Sequence, residues 1–270
     1  MPTPSPPERQ QALAALATLS VRELEEFWRR LDLSRPDRLA EPLAVVVADI
    51  VDRYGAAAAS LAADWYDEAR EEARARGVFT AAVAASPAQD RIEALTRWGI
   101  APLFGTSPSS PAALTRVSGG MQRVVLNQAR DTTAASVALD PAKPRFARHA
   151  SANACAFCRL LATNGPIYRS ESSALHVVGR GTDTSTNATR TKGRKAKGIH
   201  ARGSRTLGEK YHDDCRCAAI EVFDQDAYKE APYVAEWRQT YNDVKVTAGK
   251  YDAVDLKATL AEMRKTLGTH

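Results

Sequence analysis

No run of eighteen or more apolar residues free of charge occurs in this 270-residue chain. The best candidate, residues 40–63, is broken by Glu41, Asp49, Asp52 and Arg53, so neither a membrane-spanning helix nor a membrane partner is expected. Compact hydrolase signatures are missing too: there is no Gly-x-Ser-x-Gly and no His-Glu-x-x-His. The opening Met1-Pro-Thr-Pro-Ser-Pro-Pro lacks the basic start, apolar middle and cleavage site of a secretory signal. Synthesis in a reducing cytoplasm is therefore expected, where clustered cysteines bind metal more often than they form disulfides. Cysteine is scarce, with four residues, all between 155 and 217. What is present suffices for a real core, since 44% of residues are hydrophobic, which excludes disorder of the whole chain.

Periodicity divides the chain into a helical first half and a mixed second half. After a flexible lead over residues 1–7, an N-terminal helical region is expected over 8–104. Glu8 to Leu19 has helical composition, and Ser20-Val-Arg-Glu23 reads as a capping box opening a second helix with Leu24, Phe27, Trp28 and Leu31 on one face. A long helix follows from Arg38 to Arg76, relaxed around Gly55 and stopped by Gly77. Pro87 to Leu103 gives another, with Ile92, Leu95 and Trp98 facing inward. A second module is expected over 105–223, led by a helix over 111–139, with strands and the cysteine cluster over 145–223. Within it, Arg145-Phe-Ala-Arg-His and Ala218-Ala-Ile-Glu-Val-Phe read as strands, Asn164-Gly-Pro as a turn and Ile167-Tyr-Arg as a short strand. Residues 179–210 have almost nothing to bury and read as a mobile basic insertion. A helical tail is expected over 224–270, from Asp224 to Asn242 and from Asp252 to Leu267. The fold class is α+β.

The chemistry concentrates in two short clusters, Cys155-Ala-Phe-Cys158 and His212-Asp-Asp-Cys215-Arg-Cys217. Zinc takes about four sulfur or nitrogen ligands at roughly 2.0–2.3 Å, and two close-spaced pairs from separate segments supply them. The favoured ligands are Cys155, Cys158, His212 and Cys215, with Cys217 as a substitute ligand or a buried neighbour. With no open position the metal would be structural. Two other readings stay open: a Cys155–Cys158 disulfide, or four plain core thiols. A Cys215 nucleophile with His212 as base and Asp213 as its orienter is the catalytic alternative. His149 is expected on a strand surface.

Charge is segregated. Arg180, Arg190, Lys192, Arg194, Lys195, Lys197, Arg202, Arg205 and Lys210 stand against Asp183 and Glu209, a local balance of +7 in a chain of net charge +5. No aromatic residue lies among them, which fits non-specific attraction to a nucleic-acid backbone and not base reading. A solvated tether is the bland alternative.

The span from about Val117 to Phe223 resembles the phage Mu protein F-like family of minor head proteins. The resemblance rests on a helix running into Arg145-Phe-Ala-Arg-His, then Cys155-x-x-Cys158, Gly165-Pro-Ile and His212-x-x-Cys215-Arg216-Cys217 before a closing strand. It departs from that family in the long basic insertion before His212. The N-terminal helices also look like those of actinobacteriophage head proteins described as capsid maturation proteases or Mu F-like fusions. The resemblance implies a minor structural protein inside a tailed-phage head near the portal, made in the host cytoplasm and sometimes entering the cell with the DNA. Its expected partners are portal protein, major capsid or scaffold protein, and packaged double-stranded DNA. The rival class is a capsid maturation protease of Cys–His type.

Overall fold

The computed structural model describes residues 3–104, 106–167, 215–248 and 253–269. Four long helices make the body: α1 (Pro6–Trp28), α2 (Ala40–Glu72), α3 (Gln89–Ile100) and α4 (Ser110–Leu139). Then come β1 (Arg145–His149), α5 (Ala156–Thr163), β2 (Ala218–Val222), α6 (Tyr233–Val244), the short strands β3 (Thr247–Ala248) and β4 (Ala253–Val254), and α7 (Leu256–Leu267). The fold is α+β. Among the described residues no helix is long and apolar enough to cross a membrane.

Where α1 begins, Ser5 donates its hydroxyl to Glu8 at 2.6 Å and its backbone N–H to the same carboxylate oxygen at 2.8 Å. The capping box expected at Ser20 is not used. One helix runs from Pro6 to Trp28, and Ser20 is buried with its hydroxyl donating to the Ala17 carbonyl at 2.8 Å. No Gly or Pro stands between Glu8 and Trp28, so nothing interrupts the helix, and a serine inside it turns its hydroxyl onto the preceding turn.

α4 is the axis of the molecule. Its first half, with Ala113, Val117, Met121, Val124 and Val125, closes a core against Leu24 and Trp28 of α1, Leu43, Val47, Ile50 and Val51 of α2, and Ile92 and Leu95 of α3. Its middle, at Leu126 and Ala129, packs with Leu13, Ala17, Trp65 and Ile220. Gly55 does not relax α2; it lets α4 in. A Cβ there would stand 1.9 Å from Nε2 of Gln128, a buried side chain that donates to the Val51 carbonyl at 3.3 Å. Gly55→Ala is therefore expected to lower stability by about 1–3 kcal/mol through overpacking, outweighing a helix-propensity gain of about 1 kcal/mol. Urea unfolding measures this, and an unchanged midpoint would mean that Gln128 swings aside freely.

Trp98, expected on the inner face of α3, is 49% exposed, with the Arg116 guanidinium 5.4 Å from its ring centroid. The inward positions are taken by Ile92, Leu95 and Thr96, which leaves Trp98 at the margin.

An extended strap follows α2. Its backbone N–H groups are satisfied by side chains of the neighbouring helices: Ala81 donates to Asp67 at 2.9 Å, Ala82 to Ser136 Oγ at 3.0 Å and Ala84 to Thr132 Oγ1 at 3.0 Å. Asp140, just past α4, is buried and ties both helices together, accepting from the Tyr66 hydroxyl at 3.0 Å, from Arg70 Nε at 2.9 Å and from the Ala142 N–H at 2.8 Å.

β1 and β2 pair antiparallel, with Arg145 opposite Val222 and His149 opposite Ala218. His149, expected on a surface, is 5% exposed because α1, α4 and α5 all pack on β1. Among the described residues its Nε2 has no hydrogen-bond partner, and burial lowers its pKa. The tail differs from expectation in its start. Asp224 accepts the N–H groups of Asp226 and Ala227 in a turn, and Pro232 precedes α6, which begins at Tyr233. α7 is capped by Asp255, whose side chain accepts from the Ala258 N–H at 3.0 Å.

Candidate metal centre

The first cluster is presented by α5. Cys155 is the extended residue at its N-cap and Cys158 lies in its first turn, a spacing of three that puts both on one helix side. The approach is held by Arg159, which donates to the carbonyls of Ala154 at 2.7 Å and Ala152 at 3.1 Å.

The second cluster lies just before β2, and its backbone is gripped from two helices. Arg130 of α4 donates Nε to the Cys217 carbonyl at 2.9 Å and Nη2 to the Cys215 carbonyl at 2.6 Å, while its Nη1 reaches Asn127 Oδ1 at 2.9 Å. Gln10 of α1 donates to the intervening Arg216 carbonyl at 2.9 Å. Carbonyls alternating between two neighbours are the mark of an extended chain, in which residues two apart share a side. Cys215 and Cys217 do so: with Cys158 their sulfurs all lie within 4.8 Å of one another, and Cys158 and Cys215 are 3.4 Å apart. Arg216 is exposed between them.

A lid of apolar side chains closes the group. Val234 and Trp237 of α6, with Ala150, Ala154 and Ala162, pack on Cys158, Cys215 and Cys217. The Tyr233 hydroxyl donates to the Ala150 carbonyl at 2.8 Å, and Arg159 lies over the Trp237 ring at 5.1 Å. No disulfide joins any of the four cysteines to another described residue. Hydrogen bonds from Cys158 and Cys217 hold Cys215 well below the ordinary thiol range against burial, with the Arg130 charge adding to them. Hydrogen bonding to Cys155, then to Cys215 and Cys217, pushes the Cys158 thiol well up. Three sulfurs grouped beside the Arg130 charge are the soft donor set that a cation such as zinc takes. Sulfurs around a tetrahedral ion with bonds of about 2.3 Å sit roughly 3.8 Å apart, a value that lies between the 3.4 Å of Cys158–Cys215 and the 4.8 Å that bounds the group.

Of the residues the sequence singled out, Cys158 and Cys215 meet here, and Cys217, expected as a substitute, is the third of the group. Cys155 is half-buried and packs against it. His212 and Asp213 lie outside the described residues, as do the nine basic residues from Arg180 to Lys210 and most of the strand expected from Ile167. Arg130 and Gln10 were not anticipated. Leu126 and Ala134 are buried one helical turn to either side of Arg130, so a cation interrupting an apolar stripe was the available signal.

A family model described as VG15 protein matches residues 5–244. The chain belongs to the VG15 protein family. That family is viral, so this is a viral protein. The VG15 match runs from the Ser5 cap to the end of α6 and takes in the three grouped sulfurs, Arg130, Gln10 and the helices that bury α4. No curated protein and no solved structure gives a match.

Proposed function

We propose that this VG15 protein is a minor head component of a tailed bacteriophage, sited inside the head near the portal, whose cysteine group holds one structural zinc ion. Cys158, Cys215 and Cys217 supply three ligands, and Cys155, which caps the same helix, supplies the fourth. Bound zinc would cross-link α5 to the segment before β2. The helical body docks on portal or capsid protein. The cationic segment between Arg180 and Lys210, tethered on either side by the two halves of the site, contacts packaged DNA without reading its bases.

The observation that carries the structural role of the site is its closure: three sulfurs are buried under Val234 and Trp237, and the backbone behind Cys215 and Cys217 is held by Arg130. Membership in a viral family supports the phage setting, and the resemblance to Mu F-like head proteins supports the place within it. Hydrolysis through Cys215, His212 and Asp213 has less support, because a nucleophile must reach its substrate and Cys215 is 3% exposed.

Purified particles of the parent phage, opened under non-reducing and chelator-free conditions, are the test. The protein is expected among their internal components, cross-linked to portal, and the isolated full-length chain is expected to carry about one zinc. Absence from particles would remove the head role, and less than about half an equivalent of zinc would remove the metal.

A further inference from the structure

We infer that Arg130 is the positioning residue of the metal centre: by clamping the Cys215 and Cys217 carbonyls it sets the two thiols on one side and aims them at Cys158. The inference rests on the zinc reading above and goes beyond it, because it assigns the shape of the site to a residue that is no ligand. Three observations carry it. Arg130 is 3% exposed and its guanidinium reaches both carbonyls through different nitrogens, at 2.9 and 2.6 Å, so it fixes a separation as well as a direction. Asn127, one turn earlier on α4, holds the remaining terminal nitrogen at 2.9 Å and sets the plane of the fork. The third carbonyl of the segment is turned the opposite way onto Gln10, so the alternation that puts both thiols on one side is enforced from both helices. A planar fork can span two acceptors at fixed spacing, whereas an ammonium reaches them only as a point charge.

The site is thereby built on α4 and not on the segment that carries the ligands. Partners that orient metal ligands typically contribute about 10–100-fold to affinity. Full-length Arg130→Met is expected to bind zinc weaker by that factor in competition with a chromophoric chelator, and to show altered cobalt d–d bands once loaded with cobalt. Arg130→Lys is expected to recover part of the affinity without the wild-type cobalt spectrum. Zinc affinity within about twofold of wild type together with an unchanged cobalt spectrum in Arg130→Met would overturn the inference. Should Arg130→Met fail to fold at saturating zinc, Asn127→Ala decides, since it frees the fork while keeping its charge: weakening of about threefold or more supports the clamp, and an unchanged affinity overturns it. If the wild-type chain binds neither zinc nor cobalt, the zinc reading itself falls, a result distinct from a variant that matches a metal-binding wild type.

Discussion

Arg9→Met is expected to destabilise the protein by about 3–5 kcal/mol, because it leaves a buried carboxylate without its partner. Arg9 Nη1 meets Glu221 Oε1 at 2.6 Å with the two side chains 5% and 1% exposed, across 212 positions of sequence. The same guanidinium donates Nε to the Pro4 carbonyl at 2.9 Å and stands over the Trp65 ring at 5.6 Å, so it also fixes the entry to α1. Against a typical domain stability of about 5–15 kcal/mol this is a large fraction. The loss should depend on pH, and the sign follows from Glu221. Burial raises its pKa, with Arg9 pulling it back toward the ordinary range. A carboxyl whose folded pKa is raised gives the fold least difficulty below the unfolded value, and stability falls as pH rises from there through the folded value. Removing Arg9 raises the folded value further. The deficit of Arg9→Met is therefore expected to be small below about pH 4 and to grow above the ordinary glutamate range of about 4.3. Urea unfolding across that range checks it, and adding Glu221→Gln should recover much of the loss at neutral pH. A deficit under about 1 kcal/mol, or one equal at both ends of the range, would show that the pair is not the constraint the geometry describes.

Chelation is expected to loosen one part of the molecule and spare another. The large core around Leu43, Val47, Ile50, Val117 and Met121 holds none of the four cysteines, whereas Cys158, Cys215 and Cys217 are themselves packing residues for Val234 and Trp237. α5 is joined in turn to α7 through Ala156, Leu160, Leu260 and Met263. In the zinc-loaded protein, metal removal should lower hydrogen-exchange protection in α5, β2 and α6 by about 100-fold or more, and leave α2 and the first half of α4 nearly unchanged. Structural zinc contributes about 10–16 kcal/mol of apparent binding free energy in small fingers, so even a fraction of that suffices here. A uniform loss of protection would mean that the two cores unfold together, and no loss at all would sink the structural role of the ion.

The elements best foreseen are those whose signal is local and repeated. Leu43, Val47, Ile50 and Val51 recur at helical spacing, and α2 lies where that pattern places it; the two segments read as strands, from Arg145 and from Ala218, likewise contain β1 and β2. Cys215 and Cys217 share a side for an equally local reason, since they stand two apart on an extended chain. What stayed hidden depends on contacts distant in sequence. Nothing near Arg130 announces that its acceptors lie 85 and 87 residues away, and nothing near Gln128 announces Gly55. His149 and Trp98 were misplaced for one reason: strand and helix periodicity says which side a residue shares, and the neighbouring elements decide how far that side is covered. Ser20 shows the converse limit, since a capping motif has no force where no break in the helix accompanies it.

The strap after α2 has a consequence of a different kind. Ala81, Ala82 and Ala84 are held by their backbone N–H groups, which any residue but proline carries, and their acceptors Asp67, Thr132 and Ser136 are set at fixed stations on two rigid helices. In an evolving lineage Ala82 and Ala84 are therefore freer to drift in identity than Ala81, whose side chain also packs against the cluster around Tyr66, while an inserted or deleted residue would throw the three bonds out of step. Over this stretch the heritable quantity is length.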